Sequence, residues 1–380
     1  MKKAKSSAII LGVSFVWFTT HFGGGFASGA QIYSYFVRYG IWCLIMPVFA
    51  MLYNTVFFAY GLRFARKHEV YDYRSYNNAF YGRFAPVFSN LFELLYICVM
   101  CVAPAVAFAT GGATLSELTG LPYLLCTVLI GIFIFIVAIF GTDLVRKVAS
   151  ILSICIIAGL LIVYLPNIIV NFHDITNALT IMTDKPMGFG AALYSAFLYG
   201  TFQLSNIAVF VQHAKSFEKP KDALTSMGVG FIINSLMMLM VVLGLLTIYT
   251  NPDAALQSVP TLFMVQEGTG AAFLTPLISI LIILGAVSTA VNMVAAMVKR
   301  LCVKSPKPAA KTDRKTSHAI SGKEIFAALI CCLVDFGIAQ FGLLTLIQKA
   351  YSAIAYLAIP VILIPYIVHM IVTKFDTKTC

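Results

Sequence analysis

The sequence predicts an all-α membrane protein: ten transmembrane helices in two five-helix halves of opposite orientation, with the first and sixth helices broken. Composition is the first reason. Of 380 residues, 60% are hydrophobic and only 11% are charged, against about 25% charged in soluble domains. The mean hydropathy is +0.91. The second reason is length. Ten apolar runs reach the roughly 20 residues that a hydrocarbon core of about 30 Å requires. The third is the alternating placement of lysine and arginine along the chain.

The runs are 7–38, 41–66, 84–110, 121–141, 144–170, 188–213, 222–249, 271–301, 322–339 and 342–372. They form one transmembrane domain over 1–380, with repeats at about 7–170 and 188–372. Only Gly141-Thr142-Asp143 separates the fourth run from the fifth. The basic start Met1-Lys2-Lys3-Ala4-Lys5 leads into an apolar segment too long for a signal-peptide core, so the first helix is expected to remain in place. The segment 302–321 is polar, basic and proline-bearing, and reads as a mobile cytoplasmic linker. The segment 252–269 is moderately apolar and is expected to carry a short outer helix around Thr261–Glu267.

The net charge is +11, and its distribution excludes a nucleic-acid footprint. With the N-terminus inside, every lysine and arginine except Arg38, Lys185 and Lys349 falls in an inner segment. That is the positive-inside asymmetry of a multi-pass protein with both termini cytoplasmic. Short loops and the lack of an Asn-x-Ser/Thr acceptor fit a bacterial cell membrane. Most of the nine cysteines lie in apolar runs. Cys98-x-x-Cys101 shares one helical face without polar neighbours, so it reads as packing rather than redox or metal chemistry.

The stretch His21-Phe22-Gly23-Gly24-Gly25-Phe26-Ala27-Ser28-Gly29 interrupts the first run at mid-depth. Each glycine costs about 1 kcal/mol against alanine within a helix. Backbone groups freed in a bilayer must face protein, water or a ligand. A spanning run broken at mid-depth is therefore the mark of a transporter binding site. The amides of Gly24, Gly25 and Phe26 would open the outer half-helix and attract a carboxylate. Carbonyls closing the inner half would attract a cation or an amino group, so the site favours zwitterions. A matching interruption is expected in helix six, at Leu198-Tyr199-Gly200-Thr201-Phe202-Gln203. Tyr199, Phe202 and Gln203 would line the opposite wall. Gly200 taken alone reads equally as a close helix contact; pairing it with Gly23–Gly25 favours the interruption.

Ten helices in a five-plus-five repeat, with the first and sixth broken, resemble the LeuT-type fold of the amino acid–polyamine–organocation superfamily. The run Phe22-Gly23-Gly24-Gly25-Phe26-Ala27-Ser28-Gly29 also resembles the YkvI-type bacterial membrane proteins. The resemblance covers the whole chain and implies cation-coupled transport by alternating access. Helix eight carries Gly285-Ala286-Val287-Ser288-Thr289, whose adjacent hydroxyls are hard oxygen ligands suited to sodium. Serine and threonine are equally at home in close helix contacts. In the families resembled, this pattern joins first-helix carbonyls in a sodium site. Carried over, the ligands are the Ser288 and Thr289 hydroxyls and the carbonyls of Gly285, Thr19 and Phe22. Sodium is then the coupling ion, and no other cofactor is implied.

Ionisable residues within spans are functional candidates by default. Glu93 is expected near mid-depth in helix three, as a substrate-amine ligand or proton carrier. His21, beside the glycines, could gate, bind substrate or sense pH. Asp335 in helix nine and Lys349 in helix ten are expected at the same height and should form an ion pair. The sequence thus points to a cation-coupled secondary transporter of amino acids or similar small zwitterions. Its alternative is proton coupling through Glu93 or His21, with organic amines as a rival substrate class. No Walker motif, acid–base cluster or sensor-sized loop supports a pump, an enzyme or a receptor.

Overall fold

The computed structural model describes residues 2–140, 142–302 and 321–376, with backbone alone for 2–6, 24 and 142–153. Residues 303–320 of the expected linker, and Cys380, lie outside the described residues. Among those described, the regular structure is entirely helical.

The first predicted span is three pieces: α1 (Lys2–His21), α2 (Gly24–Ala27) and α3 (Ala30–Tyr35). The glycines end α1, as their propensity dictates. The second break falls at Gly29, whose φ is 79°. A Cβ there would also lie 2.6 Å from Thr261 Oγ1, so both conformation and space require glycine. Next, α4 (Met46–Lys67) places Pro47 in its first turn and Arg66 and Lys67 in its last, where each is favourable. Asp72 caps α5 (Tyr73–Tyr81) by accepting from the Ser75 amide at 2.9 Å. The longest helix, α6 (Ala85–Thr119), has 35 residues, about 52 Å at 1.5 Å per residue.

After α6 come α7 (Tyr123–Phe140), α8 (Thr142–Val170) and α9 (Phe172–Asp184). The last turns 75° away from Ile154–Val170. Helix six begins as α10 (Phe189–Gln203), tightens into a 3-10 turn at Leu204–Asn206, and resumes as α11 (Ile207–Phe210). The interruption therefore falls beyond Gly200, which lies inside continuous α10. There a Cβ would sit 2.6 Å from Tyr53 Cδ1, so Gly200 makes the close helix contact. The chain continues through α12 (Asp222–Leu246), α13 (Pro260–Glu267), α14 (Ala271–Cys302) and α15 (Gly322–Ala339). It closes with α16 (Leu343–Val372), which contains π-turns at Leu346–Ala350 and Ile359–Leu363.

Among the described residues six helices are long and apolar enough to cross a membrane, or seven if α8 and α9 count as one bent span. Helices one and six are cut short by their interruptions. The 18 residues of α15 include Lys323, Glu324 and Asp335. The short outer helix expected near Thr261 is α13. Its counterpart α5 stands between the second and third spans, as α13 stands between the seventh and eighth.

The halves are held by small polar contacts and aromatic rings. Ser14 Oγ on α1 donates to the Ser226 carbonyl on α12 at 2.7 Å, and Ser226 Oγ donates to the Ile10 carbonyl at 2.9 Å. Small residues and crossed hydroxyls let helices approach where lipid offers no hydrophobic gain. Trp17 packs edge-on against Phe58 at 5.5 Å, and Phe58 against Phe210 at 4.9 Å.

Candidate functional site

The last residue of α1 anchors the site. His21 is buried, and both ring nitrogens are engaged. Its Nδ1 lies 2.8 Å from Asn234 Oδ1, and its Nε2 lies 2.6 Å from the Tyr199 hydroxyl. Asn234 uses its amide nitrogen to donate to the Gly230 carbonyl at 2.7 Å. Its oxygen therefore accepts, which fixes the His21 proton on Nδ1. Nε2 is left to accept from Tyr199 in the neutral tautomer. The rings of Phe22 and Phe26 flank the imidazole at 5.2 and 5.3 Å. Tyr199 thus stands behind His21, joining α10 to α1, and is not among the cavity walls.

Two cavities adjoin the break. The larger, about 320 Å³, is lined by Thr19, Phe22, Gly23, Gly285, Ser288 and Thr289 along with Ile156, Val209 and Asn292. All five residues expected to hold sodium are on its wall. Thr289 Oγ1 donates to the Gly285 carbonyl at 3.0 Å. It also sits 3.1 Å from where a Cβ on Gly23 would be. The smaller cavity, about 80 Å³, is walled by Gly25, Gln31, Phe202, Gln203, Asn206 and Tyr351, with an apolar flank from Val99, Ala103 and Val106. Pro104, inside α6 at this level, removes one helical hydrogen bond beside it. Thr20, Gly23, Thr289 and Met293 belong to both cavities. Their shared wall is where the end of α1 and the glycine break meet α14.

The 3-10 turn after Gln203 supplies the opposite wall. There Asn206 Nδ2 donates to Gln203 Oε1 at 2.6 Å, and Ser205 Oγ to the Phe202 carbonyl at 2.9 Å. Phe202 stacks on Tyr351 with centroids 4.6 Å apart. Gln31, Asn206 and Tyr351 carry no mark in the sequence, since none is ionisable at neutral pH and none sits at a glycine. The one signal for Gln31 is an amide within an otherwise apolar stretch.

Several expectations are corrected. The Phe26 amide is not free; it donates to the Gly23 carbonyl at 3.0 Å, as the Ala27 amide does at 3.1 Å. The amides of Gly24 and Gly25 open that turn. With α2 only four residues long, few peptide dipoles align behind them. Glu93 is not a cavity wall. Its carboxylate pairs with Arg300 at the far end of α14 and accepts from the Tyr73 hydroxyl at 2.9 Å. Arg300 also bonds that hydroxyl and lies over the Tyr73 and Tyr96 rings. Glu93 stands about two turns from the start of the 35-residue α6, level with the last turn of α14 and away from the cavities. Asp335 and Lys349 form no ion pair. Asp335 is 3% exposed, whereas Lys349 lies exposed in the first π-turn of α16. One side chain faces inward and the other outward.

No family model matches the chain, and no curated protein does. Solved structures do. A manganese transporter from Eremococcus coleocola, in complex with an aromatic bis-isothiourea substituted compound, superposes with a TM-score of 0.56 at 16% identity. The match covers 95% of this chain and 78% of that one. A mutant of the same transporter gives 0.52 at 15%, with the same coverage. The fold is that of a membrane transporter. The likeness agrees with the LeuT-type architecture expected from the sequence, and it spans nearly the whole chain rather than one half.

Proposed function

We propose that this chain is a secondary transporter that carries amino acids or similar small zwitterions across the cell membrane by alternating access, with sodium as the coupling ion. The observation that carries this reading is the pair of adjoining cavities sharing Thr20, Gly23, Thr289 and Met293. Among the walls of one are Thr19, Thr20, Ser288 and Thr289, whose hydroxyl oxygens suit a small hard cation. The other is walled by amides, which suit a polar solute of no net charge. A common wall lets occupancy of one bias the other, the requirement for coupled binding. This is also the activity that the resemblance to the amino acid–polyamine–organocation superfamily implies.

Manganese is the cargo of the solved structures that resemble this chain, but fold does not carry substrate. Divalent manganese favours carboxylate, carbonyl and water ligands. The walls of the smaller cavity include no carboxylate, and among the described residues no cluster of three His, Cys, Asp or Glu could hold a metal. Proton coupling through Glu93 or His21 is disfavoured by their partners, since Glu93 is paired with Arg300 and both His21 nitrogens are engaged.

The test is thermal unfolding of the purified protein against amino acids, amines and manganese, in sodium chloride and in potassium chloride. A ligand at 100 times its dissociation constant stabilises by about 2.7 kcal/mol. An amino-acid shift present only in sodium is expected. A shift from manganese alone overturns the substrate class; an amino-acid shift equal in both salts overturns sodium coupling.

A further inference from the structure

The geometry points to Gln31 as the residue that sets substrate specificity: its Oε1 accepts a hydrogen bond from the amino group of a zwitterion no larger than glycine or alanine. This rests on the transporter reading above. Gln31 is a wall of the smaller cavity, is 6% exposed, and its Oε1 has no hydrogen-bond partner. Native interiors rarely leave such an acceptor unmatched, and this one is set apart from the other unpaired buried groups by its place on the cavity wall.

The chemistry of the other walls completes the assignment. Gln203 Oε1 is committed to Asn206 and its amide nitrogen also meets Tyr199, so Gln203 keeps one NH₂ donor for a carboxylate. His21 cannot compete for the substrate, because Tyr199 and Asn234 take both its nitrogens. No Asp, Glu, Lys or Arg lines the cavity. An amine without a carboxylate, or a metal ion, would therefore be a buried charge with no protein counter-charge. A zwitterion brings its own. The volume of about 80 Å³ lies far below the roughly 300–1,000 Å³ of drug-sized pockets, which limits the side chain. Glycine at position 25 makes the arrangement possible, since a Cβ there would lie 2.8 Å from Gln31 Nε2 and 3.2 Å from Val106 Cγ1.

The experiment is calorimetric titration of the full chain in detergent and sodium chloride with alanine, propionate, ethylamine and leucine. Propionate lacks the amino group, ethylamine lacks the carboxylate, and leucine exceeds the space. The wild type should bind alanine at least about tenfold tighter than the other three. Gln31→Met should lose at least about tenfold for alanine. Its ligand-free thermal midpoint should stay close to that of the wild type, because the lost amide contact with Tyr351 is offset by removal of an unpaired buried oxygen. Gln31→Glu should turn the preference toward ethylamine. Wild-type alanine affinity in Gln31→Met overturns the role of Gln31 and leaves the transporter reading standing. A large fall in the ligand-free midpoint of Gln31→Met makes the amide structural and also overturns it. Failure of the wild type to bind any amino acid overturns both readings.

Discussion

Thr289 is the residue on which the two cavities meet. Its hydroxyl donates to the Gly285 carbonyl, and the residue lines both spaces. Thr289→Val keeps the shape and removes the oxygen. The expected result is a stability loss of about 1 kcal/mol, together with loss of any difference between sodium and potassium in ligand-induced thermal shift. His21 makes a different prediction. His21→Phe preserves the edge-on ring contacts and strands the Tyr199 hydroxyl and the Asn234 oxygen. Each stranded group costs about 1–3 kcal/mol, so the thermal midpoint should fall sharply even without ligand. A midpoint within a degree of wild type would contradict the network. At this scale the glycine run was legible, because three adjacent glycines weaken a spanning helix enough to end it wherever the neighbours fall. Gln31 was not. An uncharged amide carries no periodicity or charge signal, and its role exists only once the chain has turned at Gly29 and brought α3 back beside Gly25.

Among the elements, α6, α5 and α14 are tied by Glu93, Tyr73 and Arg300. The pair is about three-quarters buried, between the exposed and fully buried regimes. Glu93→Gln should therefore cost about 1–2 kcal/mol and leave ligand affinity unchanged, since Glu93 is not at the cavity. Adding Arg300→Gln should cost less than the sum of the single changes, a coupling that a double-mutant cycle reads directly. Asp335 has no such cation. Asp335→Asn should be neutral or stabilising in thermal unfolding, and its coupling to Lys349→Met should stay within about 0.5 kcal/mol, the limit for independent sites. The sequence placed nearly every helix, because apolar runs count residues well. It placed side chains on faces poorly. The π-turns of α16 add residues to the helical register around Lys349, and α6 sets Glu93 against Arg300 at the end of α14. Neither feature has a compositional mark. Gly200 shows the same limit: its smallness was visible, but whether it breaks α10 or admits Tyr53 depends on the neighbouring helix.

For the molecule as a whole, the break in helix one and the 3-10 turn in helix six lie across the smaller cavity from each other. Alternating access requires these weak points to bend while the long helices α6 and α14 hold their shape. The fold class was legible because apolar composition and the length of the apolar runs act over the entire chain. The walls of the smaller cavity were not, because they are neutral side chains assembled from α3, α10, the turn after it and α16. The most direct measurement of the central claim is uptake of labelled alanine into proteoliposomes holding the purified protein, with an imposed inward sodium gradient. The account predicts concentrative uptake that collapses when potassium replaces sodium and is absent in Thr289→Val vesicles. Uptake that ignores sodium and follows an imposed proton gradient instead, or no alanine uptake beside robust manganese uptake, would contradict it.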